Sequence, residues 1–286
     1  MSDIITLTAH AKVNLFLRVL AREADGYHGI ETLFCRLDLA DTLSVLPSTL
    51  PGVTLQVEGT GTGPVDENLA VRAARTVQGA VRRPVGVQLS LVKRIPVGAG
   101  LGGGSADAAA ALTAVNQLHQ NAIPFAELLH HAGRLGADVP FCLSGASLAL
   151  AWGHGERMLA LPPLPVAPAL LLTPPVPVPT AEAYRWLDET RVTPSQRGSL
   201  RLDPASLASW SDIARMAGND FESAVFGRLP VVRDAFEALA RTRPLLCRMT
   251  GSGSTLFAIY RSEPDRDDAQ MMLGRKHGTL ISTRTR

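Results

Sequence analysis

The chain has 286 residues, 46% hydrophobic and 19% charged, which excludes a disordered polypeptide and allows one large or two moderate domains with real cores. A formal net charge of +2 gives no general attraction for nucleic acid, so any basic patch has to be local. Cys35, Cys142 and Cys247 are far apart with no metal-like spacing, and no signal-like start or run of about eighteen apolar residues occurs, so a soluble cytoplasmic protein is expected, with no membrane partner.

From Ile4 to Val19 the pattern predicts one long strand or two short ones. Within AKVNLFL, Lys12, Asn14 and Phe16 share one face while Val13, Leu15 and Leu17 share the other. Taken alone, the polar positions read as the solvent face of an antiparallel strand. Ala-Asp-Gly-Tyr-His, residues 24–28, contains a turn signal, followed by apolar, strand-like residues through Leu46. Tyr27 and His28 sit at its edge, where an aromatic is more often packing than ligand contact. Val53, Leu55 and Val57 alternate as a further strand, and Asn68 stands where it can cap a helix beginning at Leu69.

The stretch from Lys93 to Leu112, KRIPVGAGLGGGSADAAAAL, organises the rest. Val87, Leu89 and Leu91 alternate as a strand, Gly98, Gly100, Gly102, Gly103 and Gly104 form a loop, and an alanine-rich helix opens at Ser105, its expected cap. Ala109, Leu112 and Val115 are expected on one buried face of that helix. Dense glycine lets a ligand reach the backbone N–H groups, and the helix start adds unpaired amides and the positive end of its dipole, so the natural guest is a phosphate. Gly98, Gly100 and Gly103 satisfy G-x-G-x-x-G, but that dinucleotide fingerprint belongs after a buried parallel strand, whereas Gln88 and Ser90 suit a half-solvated antiparallel one. No Lys-Ser or Lys-Thr follows the glycines, which excludes a Walker A loop. The plainer alternative is a flexible turn before a surface helix.

A second helix is expected near Phe125 to Leu135, ended by Gly136. Asp138 follows in Gly-Ala-Asp-Val-Pro, where Pro140 is expected to hold Val139 extended and present Asp138 on stiff backbone, either as a turn residue or as a functional carboxylate. His130 and His131 read as surface residues. The run from Leu161 to Thr180 carries eight prolines, yet Ala169 to Leu172 is apolar enough for a strand, so it reads as a domain crossing. A helix is expected over Ala181 to Thr190, a mobile loop over Arg191 to Leu202, and another helix after Asn219-Asp220. Thr250-Gly251-Ser252-Gly253-Ser254 interrupts two apolar runs, either as a second phosphate loop or as a hairpin turn.

Four separated stretches, AKVNLFL with ADGYH, PVGAGLGGGSADAA, GADVPF and MTGSGSTLFAIY, together resemble the signatures of the GHMP kinases, the superfamily of galactokinase, homoserine kinase and mevalonate kinase. AKVNLFL followed by ADGYH is similar to the subfamily that phosphorylates the 2-hydroxyl of a cytidyl-bearing sugar alcohol in the non-mevalonate isoprenoid route. The resemblance implies an α+β, two-domain fold with the active site in the cleft, divided as an ATP-binding domain over 1–160 and a substrate domain over 161–286. It implies ATP and Mg²⁺ as cofactors and a small-molecule substrate. By position, Asp138 is similar to the catalytic base and Lys12 to the lysine beside it. Val97, Gly98, Ala99, Gly100, Leu101, Gly102, Gly103, Gly104, Ser105 and Ala106 fall on the phosphate loop, with Asn68, Lys93 and Pro96 near adenosine. Asn14, Tyr27, His28, Thr180 and Tyr184 match substrate positions, with Tyr27 and Tyr184 on either face of cytosine.

Two departures stand out. Ala106 occupies a place where many relatives carry a second serine, and spacing identifies no carboxylate for Mg²⁺, leaving Ser105 as the candidate metal contact. Competing readings are a superfamily kinase acting on another small alcohol, a nucleotide-binding module without catalysis, and a dinucleotide oxidoreductase. The presence of both Lys12 and Asp138 argues against the second.

Overall fold

The structure, a computed structural model, describes residues 4–22, 26–190 and 205–286. The loop expected over Arg191 to Leu202 and the Ala24-Asp25 part of the turn signal lie outside these residues. In chain order the elements are β1 (Ile5–Arg22), β2 (His28–Ser48), β3 (Val53–Glu58), α1 (Leu69–Ala80), β4 (Gly86–Val92), α2 (Gly103–Leu118), α3 (Phe125–Leu135), α4 (Val139–Ser144), β5 (Leu148–Gly153), β6 (Arg157–Leu161) and β7 (Pro168–Thr173). They continue with α5 (Thr180–Thr190), α6 (Trp210–Met216), α7 (Phe221–Arg228), α8 (Pro230–Ala240), β8 (Leu246–Met249), β9 (Leu256–Ile259), α9 (Glu263–Leu273) and β10 (Thr279–Arg284). The long N-terminal strand and the helix Phe125–Leu135 stand where periodicity and the Gly136 cap put them.

Two compact units interleave along the chain. One comprises Met1–Ala11, Leu39–Val97 and Gly102–Ala146; the other comprises Lys12–Asp38, Gly98–Leu101 and Ser147–Arg286. The expected division at residue 160 follows chain position, whereas compactness gathers segments from several places.

In the first unit the second half of β2 runs antiparallel to β4, with Thr42 opposite Val92 and Ser48 opposite Gly86. On its other edge β4 pairs in parallel with β3, Val53 opposite Val87. The antiparallel setting expected for β4 therefore holds on one edge only, because α1 carries the chain across to a parallel neighbour. Val87, Leu89 and Leu91 point into the core while Gln88 and Ser90 are half-buried. The helix pair α1 and α2 covers this sheet through small side chains, Ala70, Ala73, Ala74 and Val77 together with Ala106, Ala108 to Leu112, Ala114 and Val115. The single buried face expected for α2 is thus an underestimate. Alanine on every side lets neighbours close around the helix, and enlarging one of these residues would cost about 1–3 kcal/mol in overpacking.

In the second unit the first half of β2 pairs with β5, Ile30 opposite Gly153, and β5 pairs with β6. A separate antiparallel sheet has the order β10-β7-β9-β8. The proline-rich run does contain a strand. Pro168 takes its first position, where a missing N–H is tolerated, and Ala169 to Leu172 are fully buried. Leu170, Leu172, Met249, Leu256 and Ala258 build the core with Ala183 and Leu187 of α5, Phe221 and Val225 of α7, Val232 and Leu239 of α8, and Leu273 of α9.

Candidate active site

The glycine loop leaves β4 through Lys93 and returns at the start of α2. Gly98, Gly100 and Gly102 have φ of +69°, +74° and +70°, a left-handed region that a side chain would disfavour. Gly102 is the N-cap of α2, and Ala106 N donates to its carbonyl at 2.9 Å. The helix therefore opens at Gly103, two residues before the expected start. Ser105 is the third helical residue rather than the cap, since the left-handed glycine already turns the chain into the helix. Gly103 and Gly104 belong to the first turn, where backbone N–H groups have no partner within the helix.

Within the first unit, Lys93 is buried and its Nζ is shared by two carboxylates, Asp41 Oδ2 and, at 2.8 Å, Asp107 Oδ2. Asp41 Oδ1 also accepts from the backbone N of Arg94, at 2.6 Å, and of Ile95, at 2.9 Å. This triad ties β2, the exit of β4 and the first turns of α2 into one frame. Burial, with one cation for two carboxylates, pushes the Asp107 carboxyl up to about 7; Lys93 opposes the rise and Asp41 adds to it. Asp107 Oδ1 is buried without a hydrogen bond. A Cβ on Gly103 would stand 2.9 Å from Ile95 Cγ2 and 3.3 Å from Lys93 Nζ, so the glycine is fitted to the same frame. Asn68 caps α1, its Oδ1 accepting from Ala70 N at 2.9 Å while Nδ2 donates to Thr62 Oγ1 at 3.0 Å.

Asp138 also belongs to the first unit. It sits half-buried at the N-cap position of α4 with φ −86° and ψ −14°, and makes no capping bond with its side chain. Val139 is not held extended: it begins this short helix with Pro140 in the first turn, where proline has no helical N–H to lose. His130 is exposed, as expected, but His131 is half-buried.

In the second unit Lys12 and Asn14 are buried, 3% exposed each, so the solvent-face reading of AKVNLFL is overturned. Both faces of β1 are covered there. Lys12 Nζ donates to Asn14 Oδ1 at 2.9 Å and lies 5.3 Å from the centroid of the Phe34 ring. Asn14 Nδ2 donates to Thr32 Oγ1 at 2.8 Å, and Asn14 Oδ1 also accepts from Gly251 N at 3.0 Å. The stretch 250–254 links β8 to its antiparallel partner β9, so it is a hairpin turn, and it also meets the glycine loop. Thr250 Oγ1 donates to Gly100 O at 3.3 Å, and a Cβ on Gly100 would be 2.5 Å from Thr250 O. Asn219 Nδ2 holds the carbonyls of Met249 and Gly251, each at 2.8 Å. Ala99 and Leu101 are buried, and Lys12 N donates to Leu101 O at 2.9 Å. This unit therefore brings together Lys12, Asn14 and residues 98–101.

Of the remaining expected residues of the second unit, His28 and Tyr184 form another group. His28 Nε2 meets Asp188 Oδ1 at 2.9 Å, and its ring stacks on Tyr184 at 5.1 Å. Phe221 packs edge-on against Tyr184 at 4.9 Å, while Tyr27, 68% exposed, tilts against His154. Thr180 Oγ1 hydrogen-bonds Ser252 Oγ at 3.0 Å. Asp41, Asp107, Thr250, Asn219 and Asp188 had not been assigned to the site from the sequence. Thr250, as the lead residue of the second glycine turn, and Asn219, before an expected helix, each carried a signal. Among the described residues no group of three or more His, Cys, Asp or Glu side chains could hold a metal ion, and no helix is long and apolar enough to cross a membrane.

Residues 68–146 match the GHMP kinases N terminal domain and residues 205–279 the GHMP kinases C terminal domain. The chain is 38% identical over 285 residues to a 4-diphosphocytidyl-2-C-methyl-D-erythritol kinase from Pelotomaculum thermopropionicum, covering 99% of this chain and 98% of the relative. A crystal structure of 4-(cytidine 5'-diphospho)-2C-methyl-D-erythritol kinase superposes with a TM-score of 0.81 at 36% identity, over 98% of this chain and 99% of that one. Homoserine kinase from Cytophaga hutchinsonii shares the fold, with a TM-score of 0.71 at 21% identity over 100% of this chain and 95% of that one. The chain belongs to the GHMP kinases, small-molecule kinases of α+β fold, within the family of 4-diphosphocytidyl-2-C-methyl-D-erythritol kinases.

Proposed function

We propose that this chain transfers the γ-phosphoryl group of ATP to the 2-hydroxyl of 4-diphosphocytidyl-2-C-methyl-D-erythritol, in the cytoplasm, as a step of the non-mevalonate isoprenoid route. The observation that carries the ATP half is the run of left-handed glycines at 98, 100 and 102 leading into the unpaired amides of α2. The near-full-length likeness to kinases named for this substrate carries the other half. Residues 1–160 would then bind mainly nucleotide and 161–286 mainly substrate, a division supported by domain matches that fall on either side of residue 160.

Phosphoryl transfer needs positioning and charge neutralisation more than covalent chemistry. The backbone of 98–106 holds the phosphates, on a frame fixed by Lys93, Asp41 and Asp107. Lys93 Nζ is committed to those carboxylates, so its part near the nucleotide is to shape the loop. Asn68, as the cap of α1, fixes backbone beside adenosine in the same way. Asp138, half-buried at the N-cap position of α4, accepts the proton of the attacking hydroxyl. Lys12, held by Asn14 and Phe34 in a buried setting, stabilises the developing alkoxide. For Mg²⁺ the described residues offer no ready cage. Ser105, half-buried in the first turn of α2, is the candidate contact, and an ion of this kind takes most of its ligands from phosphate and water.

Cytosine stacks on the exposed ring of Tyr27, with Tyr184 on its other face and Thr180 as a further substrate contact. In the neutral tautomer whose Nε2 donates to Asp188, His28 offers Nδ1 as an acceptor suited to the exocyclic amine of cytosine and unsuited to the carbonyl of uracil. Phosphorus NMR of the product tests the regiochemistry. The reading expects one new phosphomonoester on C2 and one ADP per turnover; a phosphate elsewhere on the polyol, or ATP hydrolysis alone, contradicts it.

A further inference from the structure

Outside the residues already assigned, the first unit has a cavity of about 400 Å³ in the groove between α1 and α3, lined by Arg72, Arg75, Thr76, His131, Arg134 and Leu135. Each helix contributes two basic side chains three residues apart, which places them on one face. Arg75 is paired with Asp66 at 2.7 Å, and Glu127 Oε1 stands 3.7 Å from His131 Nε2. Against those two carboxylates, Arg72 and Arg134 have no ion-pair partner among the described residues, and His131 Nε2 is buried without a hydrogen bond. The groove thus holds a local excess of cationic groups in a chain whose overall charge is close to balanced. Its volume exceeds the needs of a single phosphate, and planar guanidinium forks on both walls suit a ligand with two phosphoryl groups. Leu135 adds one apolar wall.

One end of each helix lies beside a residue assigned to the candidate site. The α1 helix begins after Asn68, four residues before Arg72, and Asp138 follows Arg134 by four residues. A ligand that engages both walls therefore bears on the backbone that carries a nucleotide contact and the proposed base. We propose that this groove is a second anion site, separate from the glycine loop, which takes a small diphosphate-bearing molecule and is coupled to nucleotide binding.

The test is calorimetric titration of the full chain with ADP at increasing inorganic pyrophosphate, and in parallel with a short alkyl diphosphate. The expected result is a change in ADP affinity of at least threefold that reaches a plateau, since coupling between two sites saturates whereas competition for one does not. In Arg72→Gln/Arg134→Gln, ADP alone binds as in the parent, but the pyrophosphate needed for the half-maximal change rises at least tenfold. The single Arg134→Gln variant should lie between them. Tighter binding of the alkyl diphosphate would mark an organic ligand using Leu135, and equal binding an inorganic one. An effect without a plateau, no effect on ADP, or an unaltered response in the double variant overturns the proposal. Direct pyrophosphate titration without nucleotide reads the groove even if ADP does not bind, so this inference and the kinase reading fail separately.

Discussion

Lys12 and Asp138, proposed for the phosphoryl-transfer step, reach their positions by different physical routes. Lys12 is buried on a strand whose two faces are both covered, with Asn14 and Phe34 about its ammonium group. Asp138 gains its position from the turn between α3 and α4. If Asp138 takes the proton, Asp138→Asn should lower kcat by about 10²–10⁴ while leaving ATP affinity in place; steady-state kinetics paired with calorimetry decides it, and turnover within a few-fold of the parent would remove the base assignment. Tyr27→Ala should raise KM for the cytidyl substrate by the equivalent of about 1–3 kcal/mol, by analogy with bases stacked on aromatic side chains, and leave KM for ATP unchanged. His28→Ala should narrow the preference for cytidyl over uridyl substrate, as a buried mismatched edge would no longer be penalised. A shift confined to the ATP constant in Tyr27→Ala would move that ring to the nucleotide pocket. At this scale the sequence showed that Lys12 and Asn14 share a face, because strand alternation is local. It concealed that the face is buried, and it concealed Asp41 and Asp188, whose partners lie 52 and 160 residues away.

Among the elements, the glycine loop with its helix is the most constrained. Gly98 has φ of +69° with open space around a Cβ, whereas Gly103 faces Ile95 Cγ2 at 2.9 Å. Gly98→Ala should therefore strain only the loop, at about 1–2 kcal/mol, and weaken ATP binding. Gly103→Val should weaken ATP binding and also lower the melting temperature, because it presses on the frame beneath the loop. Calorimetry and thermal melts separate the two variants, and unchanged ATP affinity in both would dismiss the loop as the triphosphate site. Asp107 yields a pH prediction for that frame. With its folded-state carboxyl at about 7 and an unfolded value of about 3.9, the folded chain binds more protons between those limits. Its contribution to stability is thus present below about pH 4 and lost as the pH rises through about 7. Asp107→Asn keeps an acceptor for Lys93 and cannot ionise, so urea unfolding should show the variant gaining on the parent between pH 5 and 7.5; a constant difference would contradict the assignment. Local signals made α3 and β7 legible. They misplaced the start of α2 because a left-handed glycine cap replaced the expected serine, and they missed the parallel β3 edge because strand partners are set by distant chain segments.

Across the whole molecule, the four motif stretches led to the same family as the domain matches and the near-full-length relatives, although no one stretch would have sufficed. The glycine loop alone also fitted a dinucleotide fingerprint; the alternation of Gln88 and Ser90 in the strand before it argued against that reading, and the other three stretches pointed to the kinase family. Compact units assembled from interleaved segments leave no boundary signal in composition, because packing and not chain order decides their membership. Homoserine kinase shares this fold at 21% identity, so the architecture does not choose the alcohol. The direct test is a side-by-side measurement of kcat/KM with ATP for 4-diphosphocytidyl-2-C-methyl-D-erythritol, homoserine and mevalonate. The account predicts turnover of the cytidyl substrate at about 10⁴ M⁻¹s⁻¹ or above and at least about a thousandfold less for the other two, since neither carries a base for Tyr27 and His28. Comparable or faster phosphorylation of homoserine or mevalonate would contradict it.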